Sequence, residues 1–301
     1  MTVNTWIVVA GDPAIATLIE TARALGGDVT AAVVGTRATA ETVAAGGVDK
    51  VLWFGEPGDA PVEAFGTAVA DAVAAAPGVV LGAGGPGERV LLGAAAARLQ
   101  APVLTGASAV TAEGDTIVIS RSIFGGIAEE SLTVTGPVVL VLEGGPVPAA
   151  TGTAPIEDVA VTPLGVVIVE TSVSDVAQVD LGAAPRVVGI GRGLKAQADL
   201  ALVEALADAT KAEVACSRPV AEGLDWLGKD RYIGVSGAHI SPDLYVAIGI
   251  SGQLQHMVGV RGAKTIVAIN TDANAPVFKD ADYGLVGDLY ELVPALTAAL
   301  K

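Results

Sequence analysis

The chain has a single cysteine, Cys216, among 301 residues. One thiol excludes an internal disulfide and fits a reducing compartment. Aromatic residues make up only 4%, which argues against an aromatic-rich all-β architecture. Lys and Arg number 17 against 33 Asp and Glu, a net charge of −16. That balance excludes a general nucleic-acid or acidic-membrane surface, because too few cations are present to neutralise a phosphate backbone. Any anionic ligand must be held locally, by backbone N–H groups and a few placed cations. No apolar run reaches the roughly 20 residues needed to cross a bilayer. The opening MTVNTWIVVAGDP carries neither a basic n-region nor a cleavage site. A cytoplasmic chain that is not membrane-embedded is expected. The sequence also shows no nucleophile triad, paired-carboxylate site or metal-ligand spacing, so no catalytic residue is singled out.

What the chain does have is small and aliphatic: 51% hydrophobic residues and 38 glycines. Small residues allow close helix–sheet packing, and the length favours two domains. WIVVAG, VTAAVVG, KVLWFG and GVVLGAG read as buried strands, with helical stretches such as PAIATLIETARALGG and PVEAFGTAVADAVAAA between them. This alternation predicts βαβ units and a parallel sheet. After residue 100 the strands PVLTGASAV, DTIVISRSIFGG, SLTVTG and PVVLVLEGG are separated only by turns, predicting an antiparallel or mixed edge. Residues 144–165 are rich in Pro, Gly and Thr and read as a connecting segment. A second αβ series then runs from RVVGIGRGL to YGLVGDL. The fold class is therefore α/β: an N-terminal domain with a mixed parallel/antiparallel sheet over 1–182, then a doubly wound parallel-sheet domain over 183–301.

Three glycine-rich loops invite a phosphate. The pattern G-x-G-x-x-G occurs at Gly82, Gly84 and Gly87. It does not follow the first strand, and no acidic residue stands about 20 positions on to take a ribose. A packing turn is the better reading, and a nicotinamide-dependent dehydrogenase built on this loop the poorer one. GIGRGLK alternates Gly189, Gly191 and Gly193 around Arg192, the kind of cation an acidic chain needs beside an anion. GISGQLQH at 249–256 follows the apolar run LYVAI. It predicts a strand-to-helix turn with Ser251 as N-cap and one of the chain's two histidines, His256, just beyond.

These residues carry a family resemblance. GRGLK, ACSRP, IGVSG, GISGQLQH, AIN and GD follow one another in order through the second half. In this combination the chain resembles the alpha subunit of electron transfer flavoprotein, the FixB-like family. SIFGG at 122–126 is similar to an element of that family's N-terminal domain. The resemblance implies that the second domain binds FAD and that a beta subunit completes a heterodimer, with the N-terminal domain packing on it. It also implies transient redox partners, namely a flavoprotein dehydrogenase of the acyl-CoA dehydrogenase type, as in fatty acid beta-oxidation, and a membrane quinone oxidoreductase. A branch of the family instead bifurcates electrons from NADH, and a cofactor-free subunit is a further alternative. Carried onto this sequence, Arg192 approaches the cofactor, Ser217 and Arg218 lie near the flavin ring, and Ile233, Gly234, Val235 and Ser236 line it. Ser251, Gly252, Gln253, Leu254, Gln255 and His256 run from pyrophosphate to ring. Asn270, Asp288 and Leu289 meet the nucleotide end.

The chemistry of these residue types agrees. Reduced flavin carries negative charge over N1 and the C2 carbonyl, which a donor such as His256 or a cation such as Arg218 favours. The Ser236 hydroxyl suits N5, and the Asp288 carboxylate suits ribose hydroxyls. The chain departs from the family at Val235 and Ala238, where Gln and Lys are common. Fewer polar groups there imply a lower flavin potential than in respiratory members. His239 and Cys216 are read as structural.

Overall fold

The structure, a computed structural model, describes residues 3–124, 127–171 and 179–300. Two compact units divide the chain, Met1–Ser172 and Val173–Lys301. Gly125 and Gly126 of the SIFGG element lie outside the described residues.

In the first unit the apolar runs become β1 (Thr5–Ala10), β2 (Val29–Val34), β3 (Lys50–Trp53) and β4 (Val79–Gly82). Both faces of β1 and β2 are covered, which explains why these strands read as continuous apolar runs without alternation. Helix α1 (Ala16–Leu25) buries Leu18, Ile19, Ala22 and Leu25, one stripe of a 3.6-residue period. Between the remaining strands lie α2 (Arg37–Ala45), α3 (Gly66–Ala75) and α4 (Pro86–Leu99). The turn-linked strands after residue 100 are β5 (Val103–Thr105), β6 (Ala107–Glu113), β7 (Thr116–Ile123), β8 (Ala128–Thr135) and β9 (Val138–Val141).

They do not form an edge of the main sheet as a group. β5 and β9 join the main sheet in parallel, whereas β6, β7 and β8 make a separate three-stranded antiparallel sheet. The period-2 burial of β7, with Ile117 and Ile119 inward, seats that sheet on the unit's core. The connecting segment 144–165 also holds a short strand, β10 (Ile156–Asp158), paired in parallel with β3. Main-sheet order is β10-β3-β2-β1-β4-β9-β5.

The second unit contains β11 (Arg186–Ile190), α5 (Leu200–Thr210), β12 (Glu213–Ser217), α6 (Arg218–Ala221) and β13 (Tyr232–Ile233). It continues through β14 (Leu244–Ile248), α7 (Leu254–Met257), β15 (Ile266–Asn270), α8 (Val277–Asp280), β16 (Tyr283–Val286) and α9 (Leu289–Ala299). All its strand pairs are parallel, in the order β13-β12-β11-β14-β15-β16. Apolar clusters cover both faces, one built with α5 and α9, the other with Met257, Val260 and Val277. The strand order reverses between β11 and β14. In an open doubly wound sheet the crevice at the carboxyl ends of two such strands is where ligands bind.

Candidate functional site

The crevice is held open by glycine. After β11 the chain runs through Gly191, Arg192 and Gly193, and after β14 through Gly249, Ile250 and Ser251. Gly191 N–H donates to the Ile248 carbonyl (2.9 Å) and Gly193 N–H to the Gly249 carbonyl (3.1 Å). A Cβ on Gly193 would stand 2.6 Å from Gly249 Cα, and one on Gly249 would stand 2.7 Å from Gly193 Cα. The two turns therefore touch backbone to backbone, a contact only glycine permits.

A cavity of about 450 Å³ opens beside this contact. From β11 and β12 it is lined by Gly191, Arg192, Ser217 and Arg218; from β13 and its following turn by Tyr232, Ile233, Val235 and Ser236; from the β14 turn by Gly249, Ile250, Ser251, Gln253, Gln255 and His256. A smaller depression of about 170 Å³ lies on the other side of Gly249, against Lys195, Asn270, Asp288, Leu289 and Tyr290. Thirteen of the sixteen residues expected at the site line these two spaces. Gly234, Gly252 and Leu254 do not. Gly234 is buried and receives α7, where a Cβ would meet the Gln255 carbonyl at 2.6 Å. Gly252 lies behind the turn against Val277.

Ser251 is not the helix N-cap. α7 is a single turn whose N-cap is Gln253, and the Ser251 carbonyl instead accepts from Val277 N–H (3.1 Å). Among the described residues, the N–H groups of Ser251, Gly252 and Gln253 meet no backbone carbonyl. Those of Ser251 and Gln253, which line the cavity, suit an anion.

Arg218 Nε bonds Glu222 at 2.8 Å, with Lys229 Nζ 3.6 Å from the same carboxylate. This holds the Glu222 carboxyl below its ordinary range, chiefly through the Arg218 bond. Arg192 makes no ion pair among the described residues. Its charge is available to a ligand.

Asn270 and Asp288 already have internal work. Asn270 donates to the Ile250 carbonyl and accepts from Asp272 N–H, both at 2.9 Å, which ties the β14 turn to the β15 turn. Asp288 is the N-cap of α9, accepting from Tyr290 N–H at 2.9 Å. Asp288→Ala should cost about 1 kcal/mol of stability with no ligand present, while Asp288→Asn keeps the cap; denaturant midpoints of the two variants test this. Tyr290 belongs to no motif in the sequence, yet it borders the same depression. Its hydroxyl donates to Asp199 (2.6 Å) and accepts from Lys195 N–H (2.8 Å), fastening the Arg192 loop to α9.

A model described as the electron transfer flavoprotein domain matches residues 9–164, and one described as the electron transfer flavoprotein FAD-binding domain matches residues 180–261. FixB of Escherichia coli O157:H7 is 36% identical over 292 residues, covering 94% of this chain and 93% of that protein. FixB of Shigella flexneri matches with the same identity and coverage. YdiR of Escherichia coli (strain K12), whose name carries the words electron transfer flavoprotein subunit, is 46% identical over 211 residues, 68% of each chain. The chain belongs to the electron transfer flavoprotein alpha family.

In this electron transfer flavoprotein alpha chain, matched over residues 180–261 by the FAD-binding domain, the donor set of the cavity fits a flavin. It offers the free N–H groups of Ser251 and Gln253, the Arg192 and Arg218 cations, hydroxyls from Ser217, Ser236 and Ser251, and one orphaned ring nitrogen. That nitrogen is Nδ1 of His256, buried and without a hydrogen-bond partner among the described residues. His256 is 7% exposed, and its Nε2 lies 2.7 Å from the hydroxyl of the fully buried Tyr245. Burial pushes the imidazole pKa down from 6.5 to about 4, with the Ile233 backbone pulling weakly the other way. His256 is therefore neutral at pH 7.

Because the folded pKa lies below the unfolded one, the unfolded chain binds more protons between pH 6.5 and 4. Stability from His256 is complete above about pH 6.5 and is lost as the pH falls toward 4, by about 3 kcal/mol in total. Denaturation of the flavin-free protein at pH 6.5 and 4 should show this loss, and His256→Gln should lack it.

Two remaining sequence features are accounted for by packing. Cys216 is fully buried and desolvation pushes its thiol up to about 12, so it stays an inert thiol. At the G-x-G-x-x-G loop a Cβ on Gly82 would strike Leu92, and one on Gly87 would stand 3.1 Å from Ala10 Cβ. The buried Glu88 carboxylate accepts from Ala10 N–H (3.0 Å) at the reversal point between β1 and β4. A carboxylate of the protein's own stands where a phosphate would bind.

Proposed function

We propose that the chain is the alpha subunit of a heterodimeric electron transfer flavoprotein that holds FAD in the β11/β14 crevice. There it carries electrons from a flavoprotein dehydrogenase of the acyl-CoA dehydrogenase type to an acceptor such as a membrane quinone oxidoreductase. The observation that carries this reading is the cavity itself, since residues drawn from four strand ends of a flavin-binding-type domain converge on one opening at the strand-order reversal. Bound FAD supplies reversible electron uptake at its ring.

The chain's own residues do the rest. The free N–H groups of Ser251 and Gln253 and the Arg192 guanidinium hold the pyrophosphate, and Gly252 shapes the turn that presents them. Asn270, Asp288 and Leu289 border the nucleotide end, where the second Asp288 oxygen remains for a ribose hydroxyl. Ile233, Val235 and Ser236 shape the ring side, Ser217 and Arg218 stand across from them, and His256 donates to a ring acceptor. Val235 is 57% exposed and brings no polar group, which supports a lower potential than that of relatives with an amide there. The beta subunit, as the second half of the heterodimer, shields the open side of the cavity from water.

The test is co-purification with the beta subunit, a count of flavin per heterodimer, and stepwise reduction with dithionite. One flavin per heterodimer reduced in two resolved one-electron steps supports the carrier. Two flavins, one of them reduced in a single two-electron step, assign the chain to the NADH-linked bifurcating branch. A colourless complex that takes up no added FAD refutes the reading.

A further inference from the structure

We propose that Tyr245 is a positioning residue, whose hydroxyl donates to Nε2 of His256 and holds that histidine in the tautomer with its proton on Nδ1. The geometry leaves little choice. Tyr245 is fully buried on β14, and among the described residues its hydroxyl has one partner, His256 Nε2 at 2.7 Å. If the hydroxyl donates, Nε2 is the acceptor, Nδ1 carries the ring proton, and one buried donor is left over. If Nε2–H donates instead, the tyrosine proton and the Nδ1 lone pair are both left over in the interior. A buried polar atom without a partner is costly, so the arrangement with one orphan wins over the arrangement with two.

The slot for the hydroxyl is built into the fold. A Cβ at Gly189 on the neighbouring strand β11 would land on the Tyr245 hydroxyl and lie within 2.7 Å of its ring carbons. Glycine at 189 therefore makes room for this one oxygen. Burial raises the tyrosine pKa, so the hydroxyl keeps its proton and remains a donor. The remaining donor, Nδ1–H, belongs to a side chain that borders the cavity, and a ligand acceptor there completes the chain Tyr245–His256–ligand. A neutral histidine with a fixed proton gives a directed hydrogen bond rather than a mobile charge.

The role of this chain in tuning a flavin rests on the reading above, but the tautomer does not, so the two can fail separately. The experiment is nitrogen NMR of ring-labelled histidine in the full-length chain, alone and in the flavin-loaded heterodimer, with His239→Gln to identify the second histidine. A protonated-type shift at Nδ1 and an acceptor-type shift at Nε2 are expected in both samples. Tyr245→Phe, which keeps the ring and removes the hydroxyl, should return a fraction of the Nε2-protonated form in the flavin-free chain. It should also lower the flavin midpoint potential of the heterodimer, by less than removal of His256 does. The potential shift should disappear when Tyr245→Phe is made on a His256→Gln background. A protonated Nε2 in the wild-type chain overturns the proposal, even if Tyr245→Phe fails to fold. Unchanged ring shifts and an unchanged potential in Tyr245→Phe overturn it as well. A correct tautomer in a protein that binds no flavin leaves the proposal standing and removes only the flavin reading.

Discussion

Gly252→Ala should abolish flavin retention and destabilise the second unit by about 3 kcal/mol or more. Gly252 has φ +79°, a left-handed conformation that costs an L-residue about 1 kcal/mol or more. Its added Cβ would fall directly on the backbone nitrogen and Cα of Val277. Those atoms cannot swing aside like a side-chain tip. Val277 is fully buried, and its N–H donates to the Ser251 carbonyl. Relief requires α8 or the 249–256 turn to move, adding an overpacking cost of about 1–3 kcal/mol and the loss of a hydrogen bond worth about 1 kcal/mol. The same turn presents the free N–H groups of Ser251 and Gln253 to the cavity, so the site is lost with it. Gly93→Ala is the control. Gly93 lies inside α4, a Cβ there meets nothing within 4 Å, and the change should stabilise by about 1 kcal/mol. Denaturant midpoints and flavin content decide. A Gly252→Ala protein with a wild-type midpoint and full flavin would show that the turn does not shape the crevice.

His256→Ala should lower the midpoint potential of the bound flavin by about 65–130 mV. A hydrogen bond to a group that becomes charged is worth about 1.5–3 kcal/mol, and that energy, referred to a one-electron couple, gives this range. The effect comes from a neutral donor, since burial holds the imidazole pKa near 4. Arg218 contributes less than its charge suggests. Its side chain is 63% exposed and already paired with Glu222, so solvent and a counter-charge both screen it. A redox titration of the variant heterodimer reads the shift. An unchanged potential would take His256 off the ring.

The βαβ texture was legible because β1, β2, β11 and β14 are buried on both faces and read as apolar runs ended by glycine. The decoy at Gly82, Gly84 and Gly87 was also legible, since the missing acidic partner already spoke against it. β10 was not legible. Its three residues sit among Pro, Gly and Thr and are held as a strand by pairing with β3 rather than by their own pattern. Nor could local sequence show that β6, β7 and β8 leave the main sheet, because the partner of a strand is chosen by tertiary packing. At the site, thirteen of sixteen expected residues reach the two spaces, but what they do for the fold was hidden. Asn270 and Asp288 look like free ligand groups in sequence, yet each already bonds backbone nearby. The role of Tyr245 is hidden in the sequence for a related reason. Inside LYVAI it reads as one more apolar strand residue, and only the approach of β14 to α7 puts its hydroxyl on His256.

Flavin at the β11/β14 reversal is tested most directly by hydrogen exchange of the heterodimer with and without FAD. Slowed exchange is expected on FAD binding at Gly191–Gly193, Ile233–Ser236 and Ser251–His256, with no change at Gly82–Glu88. Protection centred on the Gly82–Glu88 loop, or none in the second unit, would contradict it.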